Sequence, residues 1–89
     1  MADVNAILSE RGARYGTFVG HAKITQDLKS AMYEHQNWAG LPDDVKESLE
    51  MIVHKIGRIV NGDPEYPDSW DDISGYAKLV SDRIAGVVR

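Results

Sequence analysis

The stretch LPDDVKESLEMIVHKIGRIVNG, Leu41 to Gly62, decides the fold class. Val45, Leu49, Ile52, Ile56 and Ile59 follow one another at spacings of four, three, four and three. At about 100° per residue these positions fall on one face of a helix. Pro42 stands in the first turn, where a missing N–H is tolerated, and Asp43 and Asp44 place negative charge beside the positive end of the helix dipole. Asn61-Gly62 is a natural C-terminal stop.

Toward the C-terminus, Asp63-Pro64-Glu65-Tyr66-Pro67 is a short rigid connection, because two prolines forbid the helix to continue. Ser69 is expected to open the last helix, with Asp72 three residues on as its capping-box partner. Ile73, Tyr76, Ala77, Val80, Ile84 and Val87 form the apolar stripe of that helix. Toward the N-terminus, a helix is predicted from Thr17 to Gly20 up to about His35, with Ile24, Leu28, Ala31 and His35 on one face and Phe18 and Met32 widening it. Gly40 ends that region. Gly12 and Gly16 bracket Ala13-Arg14-Tyr15, which reads as a loop. Ahead of it, Met1 to Arg11 carries Val4, Ile7 and Leu8 at the spacing of a short amphipathic helix, capped by Asp3 or Asn5.

No stretch alternates long enough for a strand, and there is no internal repeat. The expectation is a single all-α domain over residues 1–89, a small helical bundle of three main helices plus a short N-terminal one. A chain of 89 residues buries only about 60–65% of its unfolded surface. It has no cysteine to staple it, and His21, His35 and His54 are too scattered for a structural metal site. Association between chains is the remaining common source of stability, so the bundle is expected to be completed by homo-oligomerisation. Gly57 and Gly75 stand inside predicted helices, each at a cost of about 1 kcal/mol, which close approach of another backbone or of a ligand would justify; both lie off the apolar stripe, which suits a contact between subunits.

The formal charge of −4 and pI of about 5.2 argue against binding duplex nucleic acid, which needs a positive footprint. They leave room for a local basic pocket around a small anion. The absence of a signal-peptide pattern and of a long apolar run leads to the expectation of a cytoplasmic protein.

Three clusters carry chemistry. Glu47, Glu50, His54 and Arg58 share the helix face opposite the apolar stripe, with Lys55 to one side. They read either as a solvated face or, through Glu47 and Glu50 one turn apart, as part of a divalent-cation site. Asp68, Asp71 and Asp72 surround Trp70 and suit a helix N-terminus as well as they suit a hard cation. Arg11-Gly12-Ala13-Arg14-Tyr15-Gly16 combines guanidinium forks, glycines that let backbone amides approach an anion, and an aromatic ring that can stack on a base. The alternative there is an ordinary polar turn around a buried tyrosine.

The run Glu50 to Pro64, then Asp68 to Ala77, together with Arg14-Tyr15-Gly16-x-Phe18, resembles a widespread family of small, uncharacterised phage proteins, across nearly the whole chain. At greater distance, tyrosine-glycine, lysine-x-x-arginine and aspartates before Tyr76-Ala77 are similar to nucleotide-modification-associated domains. Those in turn resemble the all-α nucleotide pyrophosphohydrolases of the MazG type, which bind magnesium through two acidic motifs on successive helices. Glu47-x-x-Glu50 matches the first motif. Asp68-x-x-Asp71 stands where the second would be, without its glutamate, and Lys46 replaces a further acid.

What the resemblance implies is a phage-encoded oligomer in the cytoplasm of the infected host. It would bind a nucleotide or cyclic nucleotide without hydrolysis and so sequester a defence signal. Its ligand contacts would be Arg11, Arg14, Tyr15, His54, Lys55, Arg58, Trp70 and Tyr76. In that role the protein needs no cofactor and has no catalytic residue. One rival is a magnesium-dependent pyrophosphohydrolase with Glu47, Glu50, Asp68 and Asp71 on the metal. The other is an interaction module that blocks a host enzyme.

Overall fold

The structure, a computed structural model, describes residues 3–89. It is all-α: α1 spans Val4–Tyr15, α2 Phe18–Tyr33, α3 Asp43–Asn61 and α4 Pro67–Ile84, with a short 3-10 turn at Trp38–Gly40. These form a small helical bundle, and among the described residues there is no strand. No helix among them is long and apolar enough to cross a membrane.

The ends of the helices follow from local chemistry, and two differ from expectation. Asp3 caps α1 by accepting hydrogen bonds from the amides of Asn5 (3.0 Å) and Ala6 (3.4 Å). The start of the helix predicted from Met1 lies outside the described residues. The α1 helix does not stop at Arg11. It runs on through Gly12 and closes only at Gly16, whose φ of 77° is left-handed and whose amide bonds to the Gly12 carbonyl (2.9 Å). The expected loop is therefore one more turn of helix, since a single glycine among helix-compatible residues is not enough to break one. Thr17 caps α2 through Oγ1 on the Gly20 amide (3.1 Å).

The second correction concerns α4. It begins at Pro67, with proline in its favoured first position and Tyr66 as an N-cap that makes no side-chain bond. Ser69 is consequently inside the helix and buried, and Asp72 forms no capping box. Instead Asp72 Oδ2 accepts an ion pair from Lys55 Nζ at 3.0 Å.

The central element is α3. It packs against α2 on one flank and α4 on the other, and those two make no contact of comparable extent with each other. Against α4 it presents the buried Lys55, paired with Asp72, and Asp44, paired with Arg83. Against α2 it presents Gly57. A Cβ at that position would sit 2.6 Å from Thr25 Cγ2 and 2.9 Å from His21 Cδ2. Gly57 thus serves a close approach within one chain, not between subunits, while Gly75 faces open space. The buried side of α2 is His21 and Thr25, turned about 60° from the apolar face read in the sequence. His21 Nε2 donates to the His54 carbonyl (2.9 Å) and Thr25 Oγ1 to the Ala22 carbonyl (3.2 Å), so this polar seam is satisfied. On α4 the expected stripe is half-buried at Ile73, Tyr76 and Val80. Ala77 and Ile84 are exposed, and Val87, also exposed, lies beyond the helix.

Candidate functional site

Where α1 ends and α2 begins, the chain turns across α3 and forms a half-open cavity of about 500 Å³. That is within the usual range of small-molecule sites, roughly 300–1,000 Å³. Leu8, Arg11, Gly12 and Tyr15 come from α1, Gly16 and Thr17 from the turn, Phe18 and His21 from α2, and His54 and Arg58 from α3. Among the described residues no carboxylate lines it.

Asn61, at the end of α3, holds the turn in place. Its Nδ2 donates to the carbonyls of Tyr15 (2.7 Å) and Thr17 (2.8 Å). Beside it the Asp63 amide donates to the Arg14 carbonyl (2.7 Å). Gly16 and Gly20 leave no room for a Cβ against Asn61, and Gly62 leaves none against Tyr15. The walls of the cavity are thereby fixed by backbone contacts between segments more than forty residues apart in sequence.

The electrostatics are one-sided. The Arg58 guanidinium lies 4.3 Å over the centre of the Tyr15 ring, a cation–π contact that leaves its N–H edge available. Among the described residues neither Arg11 nor Arg58 has a carboxylate partner. Burial pushes His54 down to about pKa 4, and the neighbouring His21, Arg58 and Lys55 add repulsion of the same sign. His54 is therefore a neutral imidazole at pH 7. The His21 ring stands edge-on to it at 4.5 Å. Thr17 and Phe18, at the N-terminal end of α2 where the helix dipole is positive, line the same cavity. Phe18, 79% exposed, stands at the rim with its ring 6.4 Å from that of His21. A phosphate would find two guanidinium groups and a helix N-terminus here. A planar base would find Tyr15, Phe18 and imidazole rings.

Of the eight candidate contacts, the structure gathers Arg11, Tyr15, His54 and Arg58 into this cavity. Arg14 points elsewhere, donating to the Tyr66 hydroxyl (2.8 Å) and pairing with Glu10 (2.7 Å). Lys55 is 9% exposed and committed to Asp72 between α3 and α4. Trp70 and Tyr76 are on α4, where Trp70 Nε1 donates to the Pro64 carbonyl (2.8 Å). The acidic residues do not converge either. Glu50 accepts a 2.7 Å bond from the Tyr33 hydroxyl of α2, Glu47 is exposed, and Asp68 and Asp71 are exposed at the start of α4. Among the described residues no group of three or more such side chains could hold a metal ion.

Leu8, Thr17, Phe18 and His21 join the site without having been candidates. Phe18 carried a signal, as the last residue of the Arg14-Tyr15-Gly16-x-Phe18 motif. His21 carried none beyond being a histidine. Compared with protein-family models, with curated proteins and with solved structures, the chain matches none.

Proposed function

We propose that this protein binds a nucleotide or cyclic nucleotide in the cavity between α1, α2 and α3. The observation that carries this reading is the pairing of two guanidinium groups, Arg11 and Arg58, which among the described residues have no carboxylate partner, with aromatic rings in one cavity. In a chain of net charge −4, such a concentration of positive charge favours a small anion over an extended polyanion. Arg11, Arg58 and the first amides of α2 take the phosphate. Tyr15, Phe18 and the neutral His54 take the base.

The reading is binding without turnover. Among the described residues no carboxylate in the cavity could serve as a hard-cation ligand, and Glu47, Glu50, Asp68 and Asp71 lie outside it. Together with the resemblance to phage proteins, this favours sequestration of a host nucleotide signal as the biological role. Native mass spectrometry followed by denaturation tests it. Protein incubated with mixed mono-, tri- and cyclic nucleotides should carry the intact mass of one of them, released on unfolding. Bare protein under every condition, or a cleaved nucleotide, would refute the reading.

A further inference from the structure

The strongest apolar stripe in the sequence is only partly covered by the chain that bears it. Val45, Leu49, Ile52, Ile56 and Ile59 are only half-buried, Val60 is 66% exposed, and Val53 is the single buried apolar side chain among the described residues. With α2 and α4 on opposite flanks of α3, the strip Val45–Leu49–Ile56–Val60 between them is covered only in part, and Val60 at its end is exposed. We propose that a second copy of this chain covers it, in a two-fold dimer with α3 near the axis.

The surface area supports a second copy. The chain exposes 6293 Å², against about 5,200 Å² for a compact monomer of its mass. The excess, roughly 1,100 Å², exceeds the ~800 Å² that each partner of a standard stable interface buries. The radius of gyration agrees, at 15.1 Å where a compact chain of this length has about 12 Å. Charge supports self-pairing as well. In a two-fold interface the same patch meets itself, so any charge on it faces its own like. The strip Val45–Leu49–Ile56–Val60 bears no charged side chain, although the molecule as a whole is acidic. His54 and Arg58 project from the opposite side of α3, so the dimer leaves both cavities open and the inference does not depend on what they bind.

Sedimentation at micromolar concentration should show a species of twice 9.9 kDa. Because the chain has no cysteine, single substitutions give a clean geometric readout that does not require disrupting the core. Under mild oxidation at least one of Leu49→Cys, Ile56→Cys and Val60→Cys should form a covalent dimer much faster than Glu47→Cys on the opposite face. A 9.9 kDa monomer would overturn the proposal and leave the strip to another kind of partner. A dimer whose strip cysteines cross-link no faster than Glu47→Cys would overturn it equally.

Discussion

The guanidinium of Arg58 rests 4.3 Å above the ring of Tyr15, bridging α3 to the last turn of α1 across the mouth of the cavity. Stacking fixes the plane of the guanidinium and leaves its donors free, an arrangement that prepares it for an anion. Arg58→Ala should weaken binding of a nucleoside monophosphate roughly ten- to hundredfold, the loss of a charge-assisted bond of about 1.5–3 kcal/mol. Arg58→Lys should recover only part of that, because an ammonium provides neither the stack nor the fork. Calorimetry reads both variants, and unchanged affinity in Arg58→Ala would remove this residue from the site.

Asn61 should be the most sensitive position for the shape of the cavity. Replacing it with alanine removes both bonds from Nδ2, so the Tyr15 carbonyl loses this donor and the Thr17 carbonyl keeps only the His21 amide. A cost of about 1–3 kcal/mol is expected. In a chain of this size each kcal/mol lowers the melting temperature by roughly 4–8 °C. Asn61→Asp should be worse, since it turns a carboxylate toward two carbonyl oxygens. Thermal unfolding followed by circular dichroism measures the difference.

Lys55 and Asp72 should respond unequally. Lys55 is buried and Asp72 half-exposed, so removing the acid strands an ammonium while removing the base leaves a carboxylate that water can reach. Asp72→Ala is expected to cost more than Lys55→Met, though less than the ~3–5 kcal/mol of a fully buried pair, because Asp72 is half-exposed. Neither should change ligand affinity in calorimetry, because the pair is on the α4 side of α3.

These contrasts show what the sequence made legible. The limits of α3 and its apolar stripe were readable because proline, acids, periodicity and Asn61-Gly62 all agree. Caps at Asp3 and near Thr17 were readable for the same reason. The seam between α2 and α3 was not, because it is built from His21, Thr25 and Gly57, and a search for apolar periodicity passes over all three. Within the site, Arg11, Tyr15, His54 and Arg58 were visible as residue types in separate motifs. Their convergence depends on Asn61 reaching back to Tyr15 and Thr17, which no local pattern announces. Lys55 was misplaced because neighbourhood in sequence to Arg58 does not say which flank of α3 a long side chain joins.

Stability should fall as pH drops from about 6.5 toward 4. His54 titrates near 4 when folded and near the ordinary 6.5 when unfolded, so in that window the unfolded chain binds the extra proton. The contribution is complete above pH 6.5 and lost as the pH falls through the folded value. Arg83 beside Asp44, and Lys78 and Arg89 around Asp82, hold those two carboxyls below 3.8. Their contributions persist through this window and fail only in stronger acid. Urea unfolding between pH 7 and 4.5 should therefore show a slope in the native chain that His54→Asn flattens. A slope unchanged in that variant would assign it to other groups.

The most direct test is a titration of the ¹⁵N-labelled protein with 5′- and 3′,5′-cyclic nucleoside monophosphates, with inorganic phosphate alone as comparison, followed by amide chemical shifts. Saturable shifts at Gly12, Gly16, Phe18 and His21, larger with at least one nucleotide than with phosphate and absent from the outer face of α4, are the expected result. Amides around the cavity that stay in place for every nucleotide, or move only where Trp70, Asp71 and Tyr76 lie, would contradict it.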